Sequence, residues 1–184
     1  HIFTAPFLAK PTGYYAPADA AAAQLEHLED LLVGLPHIAS VDAFQHWLYT
    51  EGVEASAAER DAAWLRLRAR FEPDVDFSGL EAERVARWYR QSHIFTAPFY
   101  YIEYGLAQLG ALQVWRRSLA DPADALARYK AALALGGTRP LPEIYETAGA
   151  SLMFDAEGMR ALVADVEARM AELRDQAAEP VRTL

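Results

Sequence analysis

The chain has 184 residues, 53% of them hydrophobic and 23% charged, with 26 acidic against 17 basic side chains and a net charge of -9. That balance suits one folded domain, or a substantial part of a larger one, and excludes global disorder. The acidic surplus argues against a nucleic-acid surface, which needs clustered Lys and Arg. The absence of cysteine excludes disulfides, cysteine-type zinc sites and thiol catalysis.

No stretch is long and apolar enough for a membrane span. The N-terminus lacks the basic start of a secretory signal and carries Pro6, Lys10 and Pro11 early. With no cysteine to protect or pair, a cytoplasmic location is the expectation. Acidic runs such as Glu26, Glu29 and Asp30 read as a solvated helical face.

In chain order, alanine- and leucine-rich segments alternate with short Pro/Gly punctuation, and period-two runs of Val, Ile and Thr are missing. That pattern predicts an all-α fold, an irregular multi-helix bundle. The first helix is predicted over Pro17–Val33, interrupted by Gly34 and Pro36 and resuming over Pro36–Tyr49. Ser56 starts a third, with Ser56 and Glu59 in capping-box spacing, and Pro73 stops it after Phe71. A fourth is predicted over Leu80–Gln91, with Val85, Trp88 and Tyr89 on one side, and an irregular piece follows over His93–Pro98. A fifth covers about Phe99–Leu119. Asp121 caps the sixth with Pro122 in its first turn, and Gly136 and Gly137 end it. Pro142 opens a short seventh that Gly149 closes. Asp155 caps the last, roughly Glu157–Ala177. Its apolar stripe of Leu162, Val163, Val166, Met170 and Leu173 is expected to pack on the body or on a partner. The heptapeptide HIFTAPF occurs twice, at His1–Phe7 and His93–Phe99, with unlike flanks, and so is not a structural repeat. The first copy reads as a sequence artefact, with a grafted or recombined end as the alternative.

Chemistry concentrates between Arg87 and Trp115. His93 is followed by Pro98, and Tyr100, Tyr101 and Tyr104 cluster at the start of a predicted helix. Spacings of three and four place hydroxyls on neighbouring positions of one helical surface. Gly105 and Gly110 would let another backbone approach. Buried tyrosine hydroxyls need partners. Three of them near a histidine either edge an aromatic core or aim donors at developing negative charge.

The run SHIFTAPFYYIEYGLAQLGALQVW resembles the C-terminal signature of the oligoendopeptidase F branch of the thimet-type zinc metallopeptidases. The blocks LPHIASVDAFQHWLYTEG, RFEPDVDFSGLE and ALALGGTRPLPEIYETAG agree with that branch in the expected order, so the resemblance covers most of the chain. It implies that residues 1–184 are the C-terminal helical part of a larger peptidase catalytic domain with a channel for short peptides. It further implies zinc, held by a His-Glu-x-x-His helix and a later glutamate, with the motif's own glutamate activating water. His93 matches the family histidine that binds substrate, Tyr100 and Tyr104 match best the tyrosines that steady the oxyanion, and Tyr101 is the next candidate for both roles.

The chain departs from the family in one respect. Its histidines are His1, His27, His37, His46 and His93, and none begins a His-Glu-x-x-His motif. The resemblance places the zinc helices upstream of Lys10. The chain alone is therefore expected to hold no catalytic zinc and to be inactive. Its partners would be the N-terminal part of the same enzyme and short peptide substrates. The alternative is a non-catalytic helical binding or scaffold module with the same fold.

Other candidates carry less. Asp42 and His46 can face each other on one helix, which reads as a surface ion pair beside Trp47, because two ligands without a third make no zinc site. His27 lies on an acidic helical face, and His37 follows Pro36 at a predicted helix start, a structural place. No glutamate has a histidine three residues later, which excludes a di-iron bundle. No phosphate loop or nucleophile elbow is present.

Overall fold

A computed structural model describes residues 7–178. They form eight α-helices: α1 Pro17–Thr50, α2 Ala57–Phe71, α3 Glu81–Ala86, α4 Ser92–Thr96, α5 Ile102–Ala120, α6 Pro122–Leu135, α7 Leu141–Thr147 and α8 Ala156–Ala178, with a 3-10 turn at Arg87–Arg90. The fold is all-α. Outside the helices a single bridge joins Ala9 and Tyr15 among the described residues. The first six residues of the duplicated heptapeptide lie outside the described residues.

The caps act as their residue types dictate. The Ser56 hydroxyl accepts from the Glu59 amide, while the Glu59 carboxylate takes the Ser56 amide at 2.8 Å, so two orphan donors of α2 are satisfied reciprocally. Asp121 accepts the amides of Ala123 and Asp124 at the head of α6, and Asp155 accepts that of Gly158 at the head of α8. Gly136 ends α6 with φ at 53°, a conformation open to glycine without strain.

The elements differ from the predicted ones at four places. Pro36 lies inside one continuous α1 rather than between two helices. Proline removes one backbone bond and its ring crowds the preceding turn, a penalty of about 3 kcal/mol. Burial on both sides of it outweighs that penalty: Leu28 and Leu31 before it, and Ile38, Val41 and Phe44 after it, are core residues. The predicted fourth helix divides into α3 and the 3-10 turn. The tighter turn buries Trp88 and leaves Tyr89 half exposed, stacked on it at 4.0 Å between ring centres. Finally, α5 begins at Ile102 rather than Phe99, and Ser92–Thr96 is a short helix rather than irregular. Phe99 explains the late start, since its φ of 62° is left-handed and incompatible with a helix.

Two compact units divide the chain, one taking in the described residues up to Leu31 and from Leu106 onward, the other Leu32–Gly105. In the first, Val114, Ala132 and Ala148 form a core with Ile144 and Ala150 against it. The α8 stripe is buried in the body through Leu162, Val166, Met170 and Leu173. Ion pairs Arg174–Glu29 and Arg116–Asp165 flank it. Gly110 admits the Tyr145 ring, because a Cβ there would lie 2.8 Å from Tyr145 Cε1. The close approach is by a side chain, not by the backbone expected for this glycine. The Tyr145 hydroxyl donates to the Leu106 carbonyl at 2.9 Å. In the second unit Val41, Phe44, Ala63, Trp64, Trp88 and Ile94 make the core, and Tyr101 packs against it. Phe44 meets Trp64 edge-on at 5.4 Å. Both indole N–H groups are satisfied, Trp64 by the Arg84 carbonyl and Trp88 by Asp61.

Candidate active site

The second unit carries all four residues singled out around the histidine motif. His93 sits in α4, whose C-terminal end is followed by Pro98 and the left-handed Phe99. Tyr100 and Tyr101 occupy the turn that leads into α5, and Tyr104 lies in its first helical turn. The three tyrosines therefore do not share a regular helix face, as their spacing suggests, yet their rings converge. Tyr101 and Tyr104 approach His93 edge-on at 5.0 and 5.7 Å between ring centres, and Tyr100 lies parallel to it at 6.4 Å. The Tyr104 hydroxyl is 3.3 Å from His93 Nε2, a long and therefore weak hydrogen bond. Tyr100 and Tyr104 are 48% and 44% exposed. Tyr101 is more buried and anchors the group to the core.

Behind Tyr101 stands His37, edge-on at 6.0 Å. It is not at a helix start, as its position after Pro36 suggests, but within α1. Its Nδ1 lies 2.9 Å from an Arg68 guanidinium nitrogen. Arginine has no acceptor, so Nδ1 must accept and the ring proton must sit on Nε2. Burial, then the charges of Arg68 and Arg87, lower the His37 pKa to about 4. Arg68 itself is fully buried. It also donates to Ser40 Oγ at 2.9 Å and contacts the Glu72 carboxylate. Burial, with Arg87 and Arg84 nearby, brings its pKa down to about 10, so it stays charged at neutral pH.

This arrangement has a consequence for acid stability. A histidine titrating near 4 when folded and near 6.5 when unfolded takes up its proton preferentially in the unfolded chain between those values. Stability is then complete above pH 6.5 and falls as pH drops toward 4. Full conversion of the shift would be about 3 kcal/mol, and solvent screening of the partly exposed ring reduces this to roughly 1–2 kcal/mol. Urea midpoints measured from pH 7.5 to 4 should show this decline. The His37→Gln variant, which keeps an acceptor for Arg68 and cannot titrate, should lack this component.

The arrangement does not make a zinc site. Among the described residues no group of three or more His, Asp or Glu side chains is placed to hold a metal ion. Phenols surround His93 where zinc would need imidazoles or carboxylates. Asp42 and His46 do pair on α1, at 3.7 Å with the imidazole 63% exposed. Burial pushes the Asp42 carboxyl up while His46 pulls it down. What the cluster can do is present hydroxyl and imidazole donors to a polar group on a ligand.

Gln45 and Tyr49 of α1 also reach this segment, and nothing in their local sequence marks them. Each bonds to backbone about 50 positions away.

The peptidase family M3 model matches residues 14–164. Two solved structures are similar over most of the chain. A protein assigned as oligoendopeptidase F shares 37% identity with a TM-score of 0.79, over 86% of this chain and 28% of its own. PZ peptidase A with an inhibitor shares 35% with a TM-score of 0.83, over 95% of this chain and 30% of its own. The chain thus spans less than a third of either neighbour. No curated protein matches. A family match over most of the chain, with the His93–Trp115 resemblance and these two neighbours, identifies the chain as a member of peptidase family M3.

Proposed function

We propose that this chain is the oxyanion- and substrate-binding part of a zinc-dependent oligopeptide endopeptidase. The observation that carries the reading is the convergence of Tyr100, Tyr101 and Tyr104 on His93, with the Tyr100 and Tyr104 side chains half exposed. Family membership supports peptide hydrolysis as the reaction. One of the two neighbours is assigned as an oligoendopeptidase F, which is in keeping with an oligopeptide substrate.

In this reading His93 and the tyrosines bind the scissile carbonyl and donate to its oxygen as negative charge develops. Preorganised donors of this kind act on the transition state more than on the bound substrate. Zinc, when bound, would polarise that carbonyl and activate water. Its ligands and the base would come from the preceding part of the same enzyme, which is the proposed partner of this chain. The substrates would be short peptides, and the enzyme would work in the cytoplasm. No helix among the described residues is long and apolar enough to cross a membrane.

The test is cleavage of internally quenched oligopeptides by the complete enzyme and its His93→Ala variant. The expected result is a fall in kcat/KM of about a hundredfold, with the helical circular dichroism spectrum retained. Cleavage at the original rate would remove His93 from the site.

A further inference from the structure

The turn that carries the tyrosines is held from α1 at two points. The Phe99 amide donates to Gln45 Oε1 at 3.0 Å. The Tyr49 hydroxyl donates to the Ile94 carbonyl at 2.6 Å. Gln45 and Tyr49 are four apart on α1, hence on one side of the helix. The two bonds grip the segment on either side of Phe95–Pro98, one next to His93 and one next to Tyr100. The Phe99 ring completes the grip, 5.0 Å from His46 and 5.7 Å from Tyr49 between ring centres.

Two features of this contact are unfavourable for stability. Phe99 holds a φ of 62°, which a bulky side chain rarely adopts and which persists only where surrounding contacts over-determine it. Gln45 is fully buried, yet its Nε2 has no partner. An apolar side chain of similar length would leave no orphaned amide at that position. A buried glutamine is explained if its Oε1 is needed to receive the Phe99 N–H and fix the left-handed turn. That turn decides where Tyr100 and Tyr101 project, since they follow it directly.

We infer that Gln45 and Tyr49 are positioning residues: a clamp from α1 that sets His93 and the tyrosines in register. This rests on the catalytic reading given above, but the clamp can be tested apart from it. Gln45→Met removes the acceptor and keeps the volume. Tyr49→Phe removes only a hydroxyl from a side chain that is 41% exposed and lies outside the hydrophobic core. In the complete enzyme with isotope-labelled histidine, both variants should shift the His93 ring resonances, which the three tyrosine rings displace. Gln45→Met should also speed Phe99 amide exchange about tenfold. Turnover should fall about tenfold with KM little changed, because misplacement of transition-state donors acts on kcat. Unchanged His93 resonances and Phe99 exchange in both variants would overturn the clamp. So would a loss of turnover in Gln45→Met with none in Tyr49→Phe, which would mean general damage to the core. If instead His93→Ala leaves cleavage intact, the catalytic reading fails, and the resonance and exchange measurements still decide the clamp.

Discussion

Replacing Tyr104 by phenylalanine in the complete enzyme should lower kcat about a hundredfold while KM changes little. The substitution removes one oxygen and leaves the ring, so the edge-on contacts with His93, Tyr100 and Tyr101 at 5.7, 5.8 and 5.3 Å are kept. Tyr104 is 44% exposed, so no buried partner loses its bond and stability should stay within about 0.5 kcal/mol. Among the described residues the partner of the hydroxyl is His93 Nε2 at 3.3 Å, too far for a strong bond. The hydroxyl is therefore poised to turn toward a substrate oxygen. A donor that strengthens its bond only as charge develops contributes to kcat rather than to binding, and removing one such donor typically costs about 10²–10³ in rate. Steady-state kinetics on an oligopeptide series, beside a thermal melt, separate the outcomes. A raised KM with unchanged kcat would make Tyr104 a ground-state contact. Loss of both activity and melting temperature would make it a structural residue.

The helices were legible because their signals are local. Ser56 with Glu59, Asp121 with Pro122 and Asp155 each announce a helix start by side-chain chemistry that needs no tertiary partner, and each is used so. Pro36 misled for the complementary reason: its penalty is local, whereas the burial of Leu31, Ile38 and Val41 that overrides it is not. The same division runs through the site. His93 and the tyrosines lie within twelve residues of one another and stand out as a motif. The left-handed Phe99 does not, because a phenylalanine carries no sign of positive φ as a glycine would. Arg68 was legible as a helical arginine and not as a buried one. Its partners His37 and Ser40 lie about 30 positions away on another helix.

Arg68 is the place where a single change should do most harm to stability. Its guanidinium has no exposed surface, lies over the Trp64 ring at 5.3 Å and donates to His37 and Ser40. Both of those acceptors are neutral. The Glu72 carboxylate is the contacting group that carries the opposite charge, while Arg87 and Arg84 add like charge nearby. Glu72→Ala therefore strands a buried cation, and removing one partner of a buried pair typically costs about 3–5 kcal/mol. Arg68→Met should cost less, since it removes the cation that needed compensation and fills much of the same space. It still leaves His37 Nδ1 and Ser40 Oγ without their donor, at about 1 kcal/mol each. The double variant should be more stable than Glu72→Ala alone, the non-additivity expected of a charge and its partner. Urea unfolding of the four proteins at pH 7 gives the cycle. Equal and additive losses would show that Glu72 does not neutralise Arg68. The expected coupling would instead identify Glu72 as the charge that neutralises Arg68, the residue that holds His37 edge-on to Tyr101 at the site.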